Sequence, residues 1–157
     1  MGKRSNFERR DADFYPTPLA AVVPLIPHLN GIRTFAEPCC GDGALVRHLE
    51  GNGLRCIYKG DISTGQDALA LDTYGDADVI ITNPPYTREP MHRLIAHFQE
   101  IAPTWRLIDC NWSATQAGGK VHAALLGHRD ASPAVEDCGR AASLVKGLGN
   151  WGRSFSG

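Results

Sequence analysis

No apolar run in this sequence reaches membrane-spanning length, and neither sign of charge dominates it. Lys and Arg number 16 against 17 Asp and Glu, a formal net charge of −1. That balance lacks the basic excess that usually marks a binder of phosphate backbones. A local patch remains in Lys3, Arg4, Arg9 and Arg10, set against Glu8. The plain reading of such a terminal run is a solvated, fraying end. The five cysteines (Cys39, Cys40, Cys56, Cys110 and Cys138) are odd in number and include no Cys-x-x-Cys pair. They offer neither a disulfide framework nor a zinc-ribbon spacing. The six histidines are scattered without ligand spacing, so no metal site is expected. No secretory leader pattern opens the chain, and the expectation is a reduced, cytoplasmic protein.

What is present is enough for one compact domain: 157 residues, 43% of them hydrophobic. Thr17 is placed to cap a helix beginning at Pro18 and running through Leu19, Val22, Val23 and Ile26, which Pro24 should kink or shorten. Asn30-Gly31 is a turn, and Ile32 to Ala36 reads as a strand. A glycine turn follows, then a helix over Ala44 to Glu50 and a second strand over Leu54 to Lys59. Ser63 to Asp78 is a loop with a helical turn at Ala68 to Leu71. Asp78-Val79-Ile80-Ile81-Thr82 is β-branched and apolar, as a strand covered on both faces of a parallel sheet must be. Met91, Leu94, Ile95, Phe98 and Ile101 repeat at helical spacing, and Trp105 to Cys110 is a fourth strand. Strands alternating with helices predict an open, mostly parallel α/β sheet of Rossmann-like form with helices on both faces.

Three stations carry chemistry. Gly41-x-Gly43 joins a strand to a helix, where glycines let a ligand approach the backbone and a helix N-terminus offers free N–H groups. A dinucleotide fingerprint would need a third glycine where Val46 stands, which disfavours a nicotinamide or flavin enzyme. Asp61 ends the next strand, the station at which doubly wound sheets place an acid against ribose hydroxyls. Asn83-Pro84-Pro85-Tyr86 follows the buried strand. Its prolines give an extended loop without backbone donors, so the Asn83 side-chain oxygen and the Pro84 carbonyl make two adjacent acceptors for an NH2 group. Tyr86 adds a face for stacking on a planar ring.

Taken together, Tyr15-Pro16-Thr17-Pro18, Glu37-Pro38-Cys39-Cys40-Gly41-Asp42-Gly43, Asp61 and Asn83-Pro84-Pro85-Tyr86 resemble the class I S-adenosylmethionine-dependent N6-adenine DNA methyltransferases, in particular the compact phage and prophage members. The resemblance covers about Asp11 to Trp112 and implies a methyltransferase core over residues 1–112. It implies that Tyr15, Thr17 and Pro18 fold over the methionine end of S-adenosylmethionine. Glu37, Pro38, Gly41, Gly43, Asp61, Asp67 and Asn83 would complete the cofactor site, with Asp67 near the adenine. The acid at the head of the glycine motif is usually Asp in that family, and here it is Glu37. Asn83, Pro84 and Tyr86 would be the catalytic group. Adenine-containing DNA is the implied partner; an RNA base or a protein glutamine would suit the same tetrapeptide, and an inactive remnant of such an enzyme is a further reading.

Beyond about Ser113 the texture turns rich in Gly and Ala, and residues 113–157 match nothing in that family. The abrupt change is what a reading-frame shift or a degenerate gene end would leave. Short helices are expected at Val121 to Leu126 and Ala141 to Lys146, and a core stopping at the fourth strand would leave that strand's edge uncovered.

Overall fold

The computed structural model describes residues 16–108 and 143–147. Tyr15, the basic start and Val121 to Leu126 lie outside the described residues. Five strands form one sheet in the order β2-β1-β3-β4-β5. They are β1 (Thr34–Glu37), β2 (Arg55–Lys59), β3 (Val79–Thr82), β4 (Thr104–Ile108) and β5 (Ser143–Gly147). The first four pair in parallel, and β5 runs antiparallel along β4. The expected Rossmann-like α/β sheet is therefore present.

Alternation along the strands divides the core in two. Phe35, Val79, Ile81, Trp105 and Leu107 face the side covered by α1 (Leu19–Val22) and α2 (Ala44–Glu50). Ala36 and Ile80 face the other side, where Leu94 and Phe98 of α3 (Arg88–Ile101) cover them. The expected stripe on α3 is buried at Met91, Leu94, Ile95 and Phe98. Burying each such side chain contributes about 1.5–3 kcal/mol, which is why a stripe of this kind holds a helix that has no side-chain N-cap. Among the described residues, no helix is long and apolar enough to cross a membrane.

Two expectations need correction, while the first predicted helix is shortened at its proline as expected: α1 ends at Val22, and a 3-10 helix takes over from Val23 to His28. Pro24 and Pro27 both lie in that second segment and remove amide donors, so tighter turns replace the α-helical ladder. Pro18 is the N-cap residue, without a side-chain capping bond, so Thr17 does not cap the helix. The helix expected at Ala141 to Lys146 is instead a strand over Ser143–Gly147. Pairing of β5 with all five residues of β4 overrides the weak local preference and covers the edge expected to be bare.

At the amino end of the sheet, Asp78 ties β1 to β3. Its Oδ2 accepts from the backbone N–H groups of Arg33 (2.9 Å) and Thr34 (2.8 Å). Those backbone donors hold its carboxyl below the usual range. The opposite, carboxyl end is built quite differently.

Candidate functional site

From β1 the chain crosses to β2 on one side and then returns to β3 on the other. The carboxyl ends of β1 and β3 thus flank the point where the winding reverses, the place where open α/β sheets leave a crevice. A cavity of about 660 Å³ occupies it. Segments far apart in the chain contribute its walls: Thr17, Glu37 to Asp42, Asp61 to Ser63, Gln66 to Leu69, and Asn83 to Tyr86. All the described cofactor and catalytic candidates except Pro18 and Gly43 line this one cavity; Gly43 sits in the turn behind it.

The glycine turn has the expected backbone and a different use for its donors. Gly41 and Gly43 adopt positive φ (51° and 75°), which a side chain would strain. Yet Gly41 N–H donates to Asp61 Oδ2 (2.8 Å), Gly43 N–H to the Cys40 carbonyl (2.7 Å) and Ala44 N–H to Asp42 Oδ1 (2.9 Å). Three of the amides expected to be free around this helix start, those of Gly41, Gly43 and Ala44, are therefore already used within the turn. Such a turn can let a ligand lie close against it, but it is not the open nest of amides that cradles a pyrophosphate.

Asp61 closes the turn from the side. Its Oδ1 accepts from Ser63 N–H (2.8 Å) and Ser63 Oγ (2.5 Å), in addition to the Oδ2 bond to Gly41. Partial burial works against its charge, but the bonds from Ser63 and Gly41 prevail and hold its carboxyl below the usual carboxylate range. A carboxylate oxygen takes more than one donor, so Asp61 keeps capacity toward the cavity. Asp67 caps the 3-10 turn Ala68–Ala70 through Oδ1 and Leu69 N–H (2.9 Å). That turn is pinned from below by Tyr74, whose hydroxyl donates to the Ala68 carbonyl (2.6 Å).

Glu37 is the unusual group. It is fully buried at the end of β1. Oε1 accepts from Thr82 Oγ1 (2.8 Å) and Cys39 N–H (3.1 Å), while among the described residues Oε2 has no hydrogen-bond partner at bonding geometry. Burial pushes its pKa up to about 8, although the donors of Thr82, Cys39 and the Asn83 backbone favour the charged form. Oε2 lies buried within the cavity wall, so a ligand group reaches it only if the residues covering it move.

Beside Glu37, at the end of the neighbouring strand β3, the Asn83 carboxamide is held at both ends. Its Nδ2 donates to Thr17 Oγ1 (3.1 Å), and its Oδ1 accepts from the Tyr86 hydroxyl (3.0 Å). Among the described residues no hydrogen bond ends on the Pro84 carbonyl, so the second expected acceptor is available. Cys39 and Cys40 line the cavity, but burial and the neighbouring Glu37 push both thiols up and leave them poor nucleophiles.

Sequence reasoning missed Ile62, Pro90, Arg93 and Leu94. Ile62 is 69% exposed on the cavity wall next to Asp61, and an apolar residue directly after a strand-end acid was the available signal. Pro90, Arg93 and Leu94 reach the cavity from the first turns of α3, which no local pattern announces. The donor set is therefore an acceptor-rich pocket with an apolar shelf, an amide-and-tyrosine pair and one orphaned carboxyl. No protein-family model matches this chain, and no curated protein matches it at a significant level.

Proposed function

We propose that this chain holds S-adenosylmethionine in the carboxyl-edge cavity and transfers its methyl group to an exocyclic amino nitrogen, with N6 of adenine in DNA as the acceptor. The observation that carries the reading is the convergence of Thr17, Glu37, Asp61, Asp67, Asn83 and Tyr86 on one cavity of about 660 Å³. Chain segments far apart in sequence meet in it, as the contact between Thr17 and Asn83, 66 residues apart, shows.

The residues fit such a cofactor. Asp61 and Asp67 accept from hydroxyl and amino donors of a nucleoside, and Ile62 offers its exposed surface to the flat face of a purine. Glu37 Oε2 suits a cationic group, which the methionine end of the cofactor carries. When bound, the cofactor supplies a methyl group made electrophilic by its sulfonium. Asn83 Oδ1 and the Pro84 carbonyl accept both N–H bonds of the incoming amino group. That holds the nitrogen away from conjugation with its ring and stabilises charge developing on it. Oδ1 has two lone pairs, so it serves the amino group beside the Tyr86 hydroxyl or after that hydroxyl has left. Tyr86 supports the acceptor ring by stacking, worth about 1–3 kcal/mol in single-strand binders. The half-buried thiols of Cys39 and Cys40, both pushed up and so poor nucleophiles, and the absence of any need for a covalent intermediate favour direct transfer.

Calorimetric titration of S-adenosylmethionine and its demethylated product tests the cofactor assignment. Saturable binding is expected, and a folded chain that binds neither refutes it. Transfer of labelled methyl to adenine-containing DNA tests the acceptor. Asn83→Ala is expected to abolish turnover and leave the cofactor's Kd within a few-fold; equal loss of both would remove Asn83 from the catalytic role. The near-neutral charge of the chain favours keeping RNA bases and a glutamine-containing peptide in the substrate panel, since their planar nitrogens fit the same pair of acceptors.

A further inference from the structure

Thr17 does something that neither its sequence context nor the cofactor reading assigns. Its hydroxyl caps no helix, because Pro18 occupies the N-cap position. It is 95% removed from solvent and its Oγ1 lies 3.1 Å from Asn83 Nδ2. From behind, His48 Nε2 lies 3.2 Å from the Thr17 backbone carbonyl. A carbonyl can only accept, so this contact requires the proton on Nε2. His48 thus anchors the segment before α1 to α2, and Thr17 carries that anchorage across the cavity wall to Asn83. A carboxamide has an acceptor end and a donor end that differ little in shape, and which end faces a ligand is set by its neighbours. Here the donor end is tied to Thr17 and the acceptor end lies with Tyr86.

We propose that Thr17 is a positioning residue for Asn83: by accepting from Nδ2 it turns Oδ1 toward the incoming amino group, and His48 fixes the segment that holds Thr17 in place. The inference rests on the methyl-transfer reading of the cavity for its kinetic consequence, but not for its geometry. Thr17→Val keeps the shape and deletes the acceptor. Thr17→Ser keeps the acceptor. His48→Leu removes the anchor without touching Asn83, and His48→Gln can still donate to the carbonyl.

The experiment pairs two readouts on the full chain. The first is the Asn83 side-chain NH2 pair in the nitrogen-15 NMR spectrum, identified by its loss in Asn83→Asp. The second is methyl transfer to adenine-containing DNA with the Kd for S-adenosylhomocysteine measured alongside. Thr17→Val is expected to shift the Asn83 pair and speed its solvent exchange. It should lower kcat by about tenfold or more while the product Kd stays within about threefold, since misplacing a reacting group is costly when binding is intact. Thr17→Ser should retain the wild-type Asn83 pair in the spectrum, since it keeps the acceptor for Nδ2. His48→Leu should move both readouts the same way by less, and His48→Gln should restore them. These His48 variants and Thr17→Ser decide the matter if Thr17→Val does not fold.

An unchanged Asn83 pair in Thr17→Val overturns the proposal, as does a loss of product affinity with kcat preserved, which would make Thr17 a direct ligand contact. If wild-type protein methylates no DNA, the reading of the substrate fails, and the NMR comparison alone decides whether Thr17 orients Asn83.

Discussion

Two buried ionisable groups on this sheet have nearly the same exposure and opposite surroundings. Glu37 ends β1 with no exposed surface, and Arg106 in β4 is 1% exposed. Glu37 has hydrogen-bond donors on Oε1 and belongs to a cavity wall, with Oε2 buried inside that wall. Among the described residues the Nε, Nη1 and Nη2 atoms of Arg106 have no hydrogen-bond partner, and burial lowers its pKa to about 10. Arg106 pairs in register with Thr82, the residue that donates to Glu37. Burial of a charge by itself therefore does not mark a site. What distinguishes the β1 end is burial together with partial satisfaction and space for a ligand.

The comparison can be broken first at Glu37. Its pKa is about 8 in the folded chain against an ordinary 4.5. Between those values the unfolded chain has lost the proton and the folded chain keeps it. Stability must then fall as pH rises from about 4.5 and level off above about 8, by on the order of 3–5 kcal/mol. Urea unfolding across that range should show the slope in wild type and lose most of it in Glu37→Gln. A slope unchanged by the substitution would mean that Glu37 is not held neutral. The same group predicts proton release when a cationic ligand binds near pH 7. Calorimetry in buffers of different ionisation enthalpy should detect it in wild type and not in Glu37→Gln.

Arg106 supplies the opposite sign. Arg106→Met removes an uncompensated buried charge while keeping most of the apolar stem, and is expected to stabilise the fold by about 1–4 kcal/mol. Thermal melts of the two proteins measure this directly. Destabilisation instead would show that the guanidinium is held by something in the folded chain that its surroundings on β4 do not reveal.

Tyr74 sharpens the contrast with a smaller effect. Its buried hydroxyl is satisfied by the Ala68 carbonyl, so Tyr74→Phe should cost about 1 kcal/mol. Because that bond pins the turn behind Asp67, cofactor affinity should weaken several-fold in the same variant. Loss of stability without loss of affinity would separate the turn from the cavity. Removing a satisfied buried group should thus destabilise, and removing the unsatisfied one should stabilise.

Much of this organisation was legible along the chain. Buried parallel strands declare themselves by runs such as Val79-Ile80-Ile81, because both faces must be apolar. The glycines at 41 and 43 and the tetrapeptide from Asn83 to Tyr86 stand out because few residue types provide positive φ or a loop without donors. Helix and strand limits were read to within a few residues where periodicity was strong, as in α3, and failed where prolines crowded one segment, as between Val23 and His28.

By itself, then, the sequence determined the alternating α/β pattern and which side chains stand at strand ends, since these follow from local sterics and from the period of apolar residues. Only the tertiary structure decided what those side chains are bonded to. It spent the turn amides on Asp61, Cys40 and Asp42, sent the Thr17 hydroxyl to Asn83 instead of to a helix, made Ser143–Gly147 a strand by pairing it with β4, and buried Arg106 with no acceptor among the described residues. Each of these depends on residues distant in the chain meeting in space, and hydrogen-bond partners at that range leave no periodic trace in a sequence.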